Sequence, residues 1–390
     1  MATWKLDPDT THLNHGSFGA TPVEVLDRQA ELRTEMEANP VAFMLRRYQP
    51  LLETSREQLA QFVGADAAGL VFVPNATYGV NSVLRSLEST LAPGSEILIT
   101  THTYNACANA AHETARRISG QVAVADVPFP VGSPEEVTDA ILSAVTDATS
   151  LVLLDHVTSA TGLIMPIAQI AEQLPPNITV LVDGAHAPGM IPVDIAALGV
   201  NFYTANCHKW ICSPKGAAFL WVRDDHRPHT RAAVISHGYN DGWPNSSTSF
   251  HAQFDWTGTD DPTARLCVAS ALDTMATHLD GGWAELRSIN HALVLEGRSI
   301  VAQALGCELP TPDTMIGSIA ALPVPPSPNA ADDIFDALTD RLHHDWRIEV
   351  PVFAWPSSAG RMLRVSAQQY NSIEDYERLA TALEQLDVRF

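Results

Sequence analysis

Short apolar runs alternate with segments of helical spacing between residues 69 and 223 of this 390-residue chain. "EILIT" (96–100) and "SLVLLDHV" (150–157) are dominated by apolar residues, and a segment of helical spacing follows each run. Such runs are typical of strands that are buried on both faces, as in a parallel sheet covered by helices on both sides. The sequence therefore predicts an α/β fold with a mostly parallel central sheet in a large domain. The predicted strands are 69–74, 96–100, 121–128, 150–157, 179–185, 201–206 and 216–223.

The rest of the chain predicts a second, smaller unit. Residues 236–262 are rich in Gly, Ser, Asn, Asp and Trp and are interpreted as a long loop. After a long helical segment, short strands and helices indicate a small α+β C-terminal domain, and "SIED" at 372–375 predicts a capping box for its last helix. Because 390 residues exceed one ordinary core, we expect a large domain of residues 15–270 and a small one of 1–14 and 271–390.

Composition excludes several classes of partner. The formal net charge of −22 argues against nucleic acid and against an anionic membrane surface, since both attract basic proteins. No apolar run approaches the length of a membrane span, and "MATWKLDPDT" lacks the basic and apolar regions of a secretory signal, so we expect a cytoplasmic protein. Five scattered cysteines without a CxxC pair argue against a disulfide framework or a zinc site, and we expect no metal.

Polar residues follow the predicted strands, and in doubly wound sheets ligands bind beyond the carboxyl ends of the strands. The first such place is "VPNATYG", where a strand stops at Pro74 and a helix begins near Asn75 to Thr77. Free backbone N–H groups and a Thr hydroxyl at a helix start suit a phosphate group. Taken alone, Asn75 and Thr77 are better explained as ordinary helix caps.

The second place is "LVDGAHAPG", in which Asp183 ends an apolar strand and His186 lies three residues further on. A poorly solvated carboxylate at this position is costly unless it meets a cation. The alternative is a strand-end aspartate that caps the next turn.

The third place is "ANCHKWICSPKG" (205–216), which holds two of the three lysines in the chain, whereas arginine occurs twenty times. Arginine does not lose its proton near neutrality, so a lysine kept against this bias is a candidate for amine chemistry such as Schiff-base formation. Lys209 follows a predicted strand, whereas Lys215 lies in the turn "SPKG" and is expected to face solvent. A surface charge is the alternative for both.

Together the three places describe one ligand, which has an anionic phosphate, a basic ring nitrogen that pairs with a carboxylate, and a carbonyl that condenses with an amine. Pyridoxal 5′-phosphate has all three features. The combination is more specific than any of its parts, and it predicts this cofactor.

At "DGAHAPG…NCHKW" the sequence resembles fold-type-I pyridoxal-phosphate enzymes, specifically the class V aminotransferase group. "LNHGSFGATP", "HVTSATGLIMPI" and "RMLRVSAQQYNSIEDYERL" extend the resemblance over nearly the whole chain and are similar to the branch that contains isopenicillin N epimerase and cysteine-conjugate C–S lyases. The resemblance implies the aspartate aminotransferase-like fold. It also implies a homodimer with the active site at the subunit interface.

The resemblance also implies roles for individual residues. Lys209 would hold the cofactor as a Schiff base and then move protons, and Asp183 would pair with the pyridine nitrogen. Tyr104 would stack on the ring, and only the family favours this role over that of a core tyrosine at a strand end. The remaining implied contacts are Ala76, Thr77, Asn206 and His208 with the phosphate, Thr259 with the phosphate from a neighbouring subunit, His186 and Ser159 with the phenolic oxygen, and Asn14, His15 and Arg364 with the substrate.

Two departures from the family pattern bear on function. Many relatives have "HxSNxTG", and the Asn of that pattern is Ser159 in this chain. Cysteine desulfurases need a mobile cysteine in the C-terminal part, and the stretch "PTPDTMIGSIAAL" has none. A persulfide relay is therefore not expected. Arg364 would clamp the substrate carboxylate as a bidentate fork, or, without the family, form a structural ion pair.

The favoured prediction is a β-eliminating C–S lyase that acts on an S-substituted L-cysteine in sulfur or secondary metabolism, such as antibiotic biosynthesis. An isopenicillin-N-type epimerase is the alternative, and a transaminating, decarboxylating or oxidative variant is a further one. Epimerisation normally needs a second proton carrier opposite Lys209, for which Tyr104, His15 and His102 are the local candidates. A non-enzymatic regulator domain is disfavoured by the acidic charge and the retained lysine.

Three aromatic residues of the 236–262 loop either shape specificity or contact a second subunit, namely Trp243, Phe250 and Trp256.

Overall fold

The strands of the chain form one large sheet and two small ones in a computed structural model, which describes residues 3–240, 246–326, 336–356 and 360–390. The strands are β1 (Thr11–His12), β2 (Leu70–Val73), β3 (Glu96–Thr100), β4 (Gln121–Ala125), β5 (Thr149–Asp155), β6 (Thr179–Asp183), β7 (Phe202–Asn206), β8 (Ala218–Val222), β9 (Ile319–Pro323), β10 (Ile348–Glu349), β11 (Val352–Ala354) and β12 (Arg361–Ser366).

The α-helices are α1 (His15–Phe18), α2 (Val23–Ala38), α3 (Pro40–Ala42), α4 (Tyr48–Phe62), α5 (Ala76–Leu87), α6 (Asn105–Arg117), α7 (Pro134–Ser143), α8 (Ile167–Gln173), α9 (Ser249–Asp255), α10 (Thr263–Leu266), α11 (Val268–Thr277), α12 (Gly282–Leu305), α13 (Ala337–Trp346) and α14 (Ile373–Gln385). A π-helical segment, Phe43–Arg47, joins α3 to α4. Short 3-10 helices occupy Ala67–Gly69, Ile195–Leu198, Asp224–His229, His237–Tyr239 and Asp313–Met315.

The large sheet has the strand order β2-β8-β7-β6-β5-β3-β4, in which β8 runs antiparallel to its two neighbours and the other strands are parallel to one another. The mostly parallel sheet is thus confirmed, and each predicted strand is present with ends that differ by no more than three residues. Asp155 at the end of β5 lies opposite Asp183 at the end of β6. The carboxyl ends of the parallel strands therefore share one edge, as expected for a ligand site.

Both faces of this sheet are buried, which explains the continuous apolar runs. In β5, Val152 and Leu154 pack into one core, whereas Leu151 and Leu153 pack into the core on the opposite face. This follows from the alternation of side chains along a strand. Each residue of the strand needs an apolar side chain because neither face meets water.

Helix α5 lies unusually close to β7. A Cβ atom added at Gly79 would lie 2.1 Å from Oγ1 of Thr204, so no larger residue fits between helix and strand. This close approach brings the N-terminus of α5 to the carboxyl edge of the sheet.

The C-terminal part contains the antiparallel sheet β11-β12-β9. Apolar residues of α12 and α14 pack with this sheet in a core of its own, and Leu13 from the N-terminal segment joins them. Strand β1 pairs in parallel with β10 and ties the N-terminal segment to the same region. The predicted capping box of α14 is confirmed, with Ser372 as N-cap and Asp375 at the third helical position. The boundaries at residues 14/15 and 270/271 stay predictions.

The interpretation of 236–262 as one loop is wrong for its second half, because α9 lies within it. The Thr248 side chain accepts a hydrogen bond from the His251 N–H and starts this helix, and Phe250 and Phe254, four residues apart, bury their rings in the core beside the sheet. Phe250 is therefore a core residue, whereas Trp243 lies outside the described residues.

None of the helices in the described ranges combines the length and the hydropathy that a bilayer crossing requires. Within the same ranges, no group of three or more His, Cys, Asp or Glu side chains is arranged to hold a metal ion.

Candidate active site

Lys209 follows β7 and places its amine at the carboxyl edge of the sheet. Its Nζ atom lies 2.8 Å from Nε2 of His186. Burial lowers the pKa of the Lys209 amine to about 7, Arg364 adds repulsion, and Asp183 opposes the shift only in part. A substantial fraction of this amine is therefore unprotonated at neutral pH and able to act as a nucleophile. Lys215, in contrast, is exposed, as expected from its turn.

His186 links this lysine to Trp210. The indole N–H of Trp210 donates to Nδ1 of His186 over 3.4 Å. Since an indole nitrogen can only donate, Nδ1 is an acceptor, and the neutral imidazole carries its proton on Nε2. Burial, followed by repulsion from Lys209, lowers the pKa of His186 well below its usual range. The Nε2–H group thus faces the lone pair of the Lys209 amine and favours its neutral form.

Asp183 and Asp155 form a buried pair of carboxyl groups at the ends of β6 and β5. Asp183 accepts hydrogen bonds from Sγ of Cys107 at 3.1 Å and from the N–H of Ala185 at 3.0 Å. Oδ1 of Asp155 accepts from the N–H of Tyr104 at 3.4 Å, and its Oδ2 is buried without a partner. Burial raises the pKa of both carboxyl groups, and repulsion from Asp183 adds to the shift of Asp155.

The N-terminus of α5 meets the end of β7. The Asn75 side chain accepts from the N–H of Tyr78 at 2.9 Å and is an ordinary N-cap, as the sequence allowed. Oδ1 of Asn206 accepts from the N–H of Ala76 at 2.9 Å, which ties the two elements together. Thr77, next in the chain, is half-buried in the first turn. This arrangement gives a polar helix start beside a strand end.

His208 precedes the lysine, and its ring is held by the residue just before β8. Its Nδ1 lies 2.8 Å from the carbonyl oxygen of Ala217, to which it donates, so Nε2 is the free nitrogen. Burial lowers the pKa of His208 to about 4. A phosphate bound at Nε2 would favour the protonated imidazole and oppose this shift.

The backbone of the lysine segment is held by residues near the N-terminus. Gly19 has a φ of 70°, and a Cβ atom there would lie 2.2 Å from the carbonyl oxygen of His208. Nε2 of His15 donates to the carbonyl oxygen of Lys209 over 3.0 Å, and its Nδ1 lies 2.9 Å from the Tyr370 hydroxyl. His15 is fully buried. The structure therefore places it behind the lysine segment rather than on the open side of the site.

Arg364, in the centre of β12, carries a buried guanidinium group with neutral partners. It donates to the carbonyl oxygen of Ser159 at 2.6 Å, to Oγ of Ser159 at 3.3 Å, to Oγ of Ser17 at 2.9 Å and to Oδ1 of Asn14 at 3.4 Å. No carboxylate of the described residues pairs with it, and burial lowers its pKa to about 10. A buried cation of this kind requires an anion that the described chain does not supply.

Of the remaining predicted residues, Tyr104 and Ser159 lie near Arg364. Tyr104 is the N-cap residue of α6, is 47% exposed, and interacts electrostatically with Arg364. Ser159 contacts Arg364, so the structure places it at the guanidinium group. Thr259 is exposed in the stretch between α9 and α10.

Sequence analysis missed four residues of this site, namely Asp155, Cys107, Trp210 and Ser17. A signal existed for Asp155, because an aspartate ends the apolar run "SLVLLD" as Asp183 ends "TVLVD". No pattern in the sequence singles out the other three, since their roles arise from tertiary contacts.

These residues fit pyridoxal 5′-phosphate. The site offers a partly neutral amine, a buried carboxyl pair with an unpartnered oxygen, and a polar helix start, and each suits one end of that molecule. The separate guanidinium group remains available for a second anion.

Comparison with known proteins agrees with this geometry. The family Aminotransferase class-V matches residues 17–319. Isopenicillin N epimerase of Amycolatopsis lactamdurans is 35% identical over 98% of this chain and 96% of the relative. The putative L-cysteine desulfhydrase 1 of Oryza sativa subsp. japonica is 31% identical over 96% of this chain and 82% of the relative.

Two solved structures of the cystine C–S lyase C-DES share the fold, each with a TM-score of 0.78 and coverage of 97% of this chain. They are 20% and 21% identical and cover 98% and 97% of the C-DES chains. One is a complex with cysteine persulfide, and the other is a variant with glycine covalently linked to its pyridoxal-phosphate cofactor. The predicted fold and cofactor are thereby confirmed. The chain belongs to the class V aminotransferase family, as a pyridoxal-phosphate enzyme of the branch that contains epimerases and C–S lyases.

Proposed function

We propose that this enzyme is a β-eliminating C–S lyase that acts on an S-substituted L-cysteine. The observation that carries the proposal is which side chains at the site are available to accept or donate a proton. Lys209 is a partly neutral amine at the site, whereas two of the three groups considered as its counterparts, His15 and His102, are engaged in hydrogen bonds within the protein. His15 uses both ring nitrogens on Tyr370 and Lys209. His102 uses Nδ1 on Thr161 at 2.8 Å and Nε2 on the carbonyl oxygen of Val127 at 3.2 Å.

This availability suits elimination because elimination needs one base at Cα, whereas epimerisation needs a proton delivered to the opposite face. In the overall reaction the Cα proton is lost, the Cβ–S bond breaks, and the sulfur leaves as a thiol. The remaining three-carbon unit takes up water and yields pyruvate and ammonia. When bound, the cofactor supplies the electron sink for the electron pair left at Cα.

We assign residue roles on the same basis. Lys209 would hold the cofactor and move the Cα proton, and Asp183 would pair with the pyridine nitrogen. Arg364 binds the substrate carboxylate, and Asn14, which already accepts from its guanidinium group, orients it. Tyr104 would stack on the ring of the cofactor. The phosphate is assigned to Ala76, Thr77, Asn206 and His208, with Thr259 from a second subunit, and the phenolic oxygen to His186 and Ser159.

The cysteines support elimination over a persulfide relay. Cys107, Cys207, Cys212 and Cys267 are buried, and Cys307 packs beside the core of α12 and α14. Burial raises the pKa of the Cys107 thiol, which donates to Asp183. A relay needs an exposed thiolate that reaches the substrate sulfur. None of the five chain cysteines offers one.

The test is an incubation of the purified holoenzyme with an S-alkyl-L-cysteine, followed by assay of pyruvate and of the free thiol. Stoichiometric pyruvate and thiol, lost in Lys209→Ala, are expected. Recovery of the amino acid without pyruvate, racemised and with deuterium from D2O at Cα, would instead establish epimerisation.

Epimerisation is the second candidate because of Tyr104. Of the three groups considered as proton carriers opposite Lys209, Tyr104 is the exposed one, and it interacts electrostatically with Arg364. The 35% identity to an isopenicillin N epimerase supports the same reading. If the enzyme is an epimerase, Tyr104→Phe should abolish racemisation but leave deuterium exchange at Cα. If it is a lyase, the same variant should still form pyruvate.

We also propose a cytoplasmic homodimer whose active sites lie at the subunit interface, with domains of residues 15–270 and of 1–14 and 271–390. Phe18, beside the site residue Ser17, is 76% exposed, which suits burial by a second copy. Light scattering of the holoenzyme should give twice the chain mass, and a monomer with full activity would contradict the shared site.

A further inference from the structure

The ends of β5 and β6 carry a feature that the proposed roles do not use. Asp155 and Asp183 are paired residues of adjacent parallel strands, so their side chains leave the sheet on the same face. Asp155 is 3% exposed, and its Oδ2 atom has no hydrogen-bond partner. Two anionic carboxylates in this position would repel each other without water to screen them.

We propose that Asp155 is a second carboxyl group of the active site that holds a proton, so that Asp183 alone presents negative charge to the pyridine nitrogen. The inference rests on the proposed placement of that nitrogen at Asp183. Asp155 is then a positioning residue, which acts through its neighbour and through the start of α6.

The hydrogen bonds decide which of the two carries the proton. Asp183 accepts from the Cys107 thiol and from the Ala185 N–H, and bonds to a carboxylate favour its charged form. Asp155 accepts one long bond from the Tyr104 N–H. The less well-solvated group of an interacting pair takes the shared proton. That group is Asp155.

The surrounding charges agree with this assignment. The titratable groups that face Asp155 are Asp183 on β6, Cys107 on α6 and Lys209 after β7. Lys209 is the one basic group among them, and its protonated form favours the anionic forms of both aspartates. Because burial keeps this amine partly neutral, at most one positive charge faces two acids, and one retained proton brings the cluster close to neutrality.

A neutral Asp155 still has a structural task. Its Oδ1 atom accepts the N–H of Tyr104, the residue from which α6 begins, and thereby fixes where the exposed Tyr104 ring stands. An asparagine is neutral, has nearly the same shape and keeps this acceptor. Asp155→Asn therefore mimics a protonated Asp155, whereas Asp183→Asn removes the negative charge that faces the pyridine nitrogen.

Infrared spectra of the holoenzyme at pH 7 test the proton directly. The wild type should show the carbonyl stretch of a protonated carboxyl group, and Asp155→Asn should lack it. Asp139→Asn, which changes an exposed carboxyl on α7, should keep the band. Wild-type protein that carries 13C-labelled aspartate should shift the same band, so the measurement does not depend on the folding of a variant. Absence of any such band would overturn the proposal.

Cofactor affinity and the visible spectrum supply the second readout. Asp155→Asn should keep the dissociation constant within about twofold and leave the absorption band in place, because neither charge nor acceptor is lost. Asp155→Leu, which removes the acceptor, should weaken binding. A spectral shift in Asp155→Asn as large as that in Asp183→Asn would show that Asp155 is ionised and end the proposal. These readouts do not depend on whether the substrate undergoes elimination or epimerisation.

Discussion

Nζ of Lys209 lies 2.8 Å from Nε2 of His186, and the Trp210 indole fixes the imidazole from its other side. The proton on Nε2 therefore faces an amine rather than an ammonium group. The side chains of His186 and Trp210 thus favour the unprotonated state of Lys209 that nucleophilic attack requires.

The first prediction concerns the titration of this amine in the apoenzyme. Since the pKa of Lys209 is lowered to about 7, its NMR signal should titrate near neutrality. The chain has three lysines, so 13C-labelled lysine gives three signals, and Lys209→Arg identifies the relevant one. Below this pKa the amine is protonated, so the rate of cofactor attachment should rise with pH and level off above about pH 7. Titration near the ordinary value of about 10.4 would contradict the assignment.

Trp210→Phe should raise the pKa of Lys209. Without the indole donor, the imidazole of His186 is free to carry its proton on Nδ1 and to accept from the ammonium form through Nε2. The same labelled-lysine titration measures the shift. Trp221→Phe is the matched control, since it removes an indole bond to Asp66 elsewhere in the fold. Equal titration curves in the two variants would show that the Trp210 bond has no influence on the amine.

Arg364→Gln should lower kcat/KM by about two orders of magnitude, because a buried charge pair with the substrate carboxylate is lost. The loss should appear mainly in KM. Removal of this cation should also raise the pKa of Lys209, since Arg364 repels the ammonium form. Arg364→Lys keeps the charge and should restore the amine titration without restoring the bidentate fork. Unchanged kinetics would place the substrate elsewhere.

Asp183→Asn should lower kcat by about two orders of magnitude or more, because the negative charge at the pyridine end of the cofactor is lost. Steady-state kinetics at saturating cofactor measure this effect separately from binding. Cys107→Ala, which removes one hydrogen bond to Asp183, should have a smaller effect in the same direction. A variant at position 183 with normal turnover would contradict the proposed cofactor orientation.

Gly19→Ala should destabilise the protein by about 1–3 kcal/mol and displace the lysine segment. Its positive φ and the 2.2 Å approach to the His208 carbonyl leave no room for a methyl group. Gly94→Ala is the control, because Gly94 also has a positive φ, 86°, but no heavy atom within 4 Å of an added Cβ. The difference in urea unfolding between the two variants isolates the steric part. Equal destabilisation would show that backbone strain alone is responsible.

The sheet could be predicted closely because both of its faces are buried. Each strand therefore appears as an apolar run, and Asp183 and Lys209 stand where those runs end. Helix α9 was missed because its apolar residues are only Phe250, Ala252 and Phe254 within a polar segment, and their burial depends on contact with the sheet.

The fine structure of the site could not be predicted because it depends on register and on contacts between distant segments. The pairing of Asp155 with Asp183 follows from the alignment of β5 with β6. The bond from Trp210 to His186 and the bond from Arg364 to Ser17 join residues 24 and 347 positions apart. Contacts between residues this far apart produce no periodic pattern in the sequence that could predict them.

The segment from Asn14 to Gly19 contacts both anchors of the site. Ser17 and Asn14 hold the Arg364 guanidinium group, and His15 and Gly19 rest on the backbone around Lys209. This short stretch thus sets the distance between the Arg364 guanidinium group, which we propose binds the substrate carboxylate, and the Lys209 amine. Lengthening or shortening this segment by one residue would change that distance and lower the activity toward every substrate at once, although no reacting atom belongs to the segment.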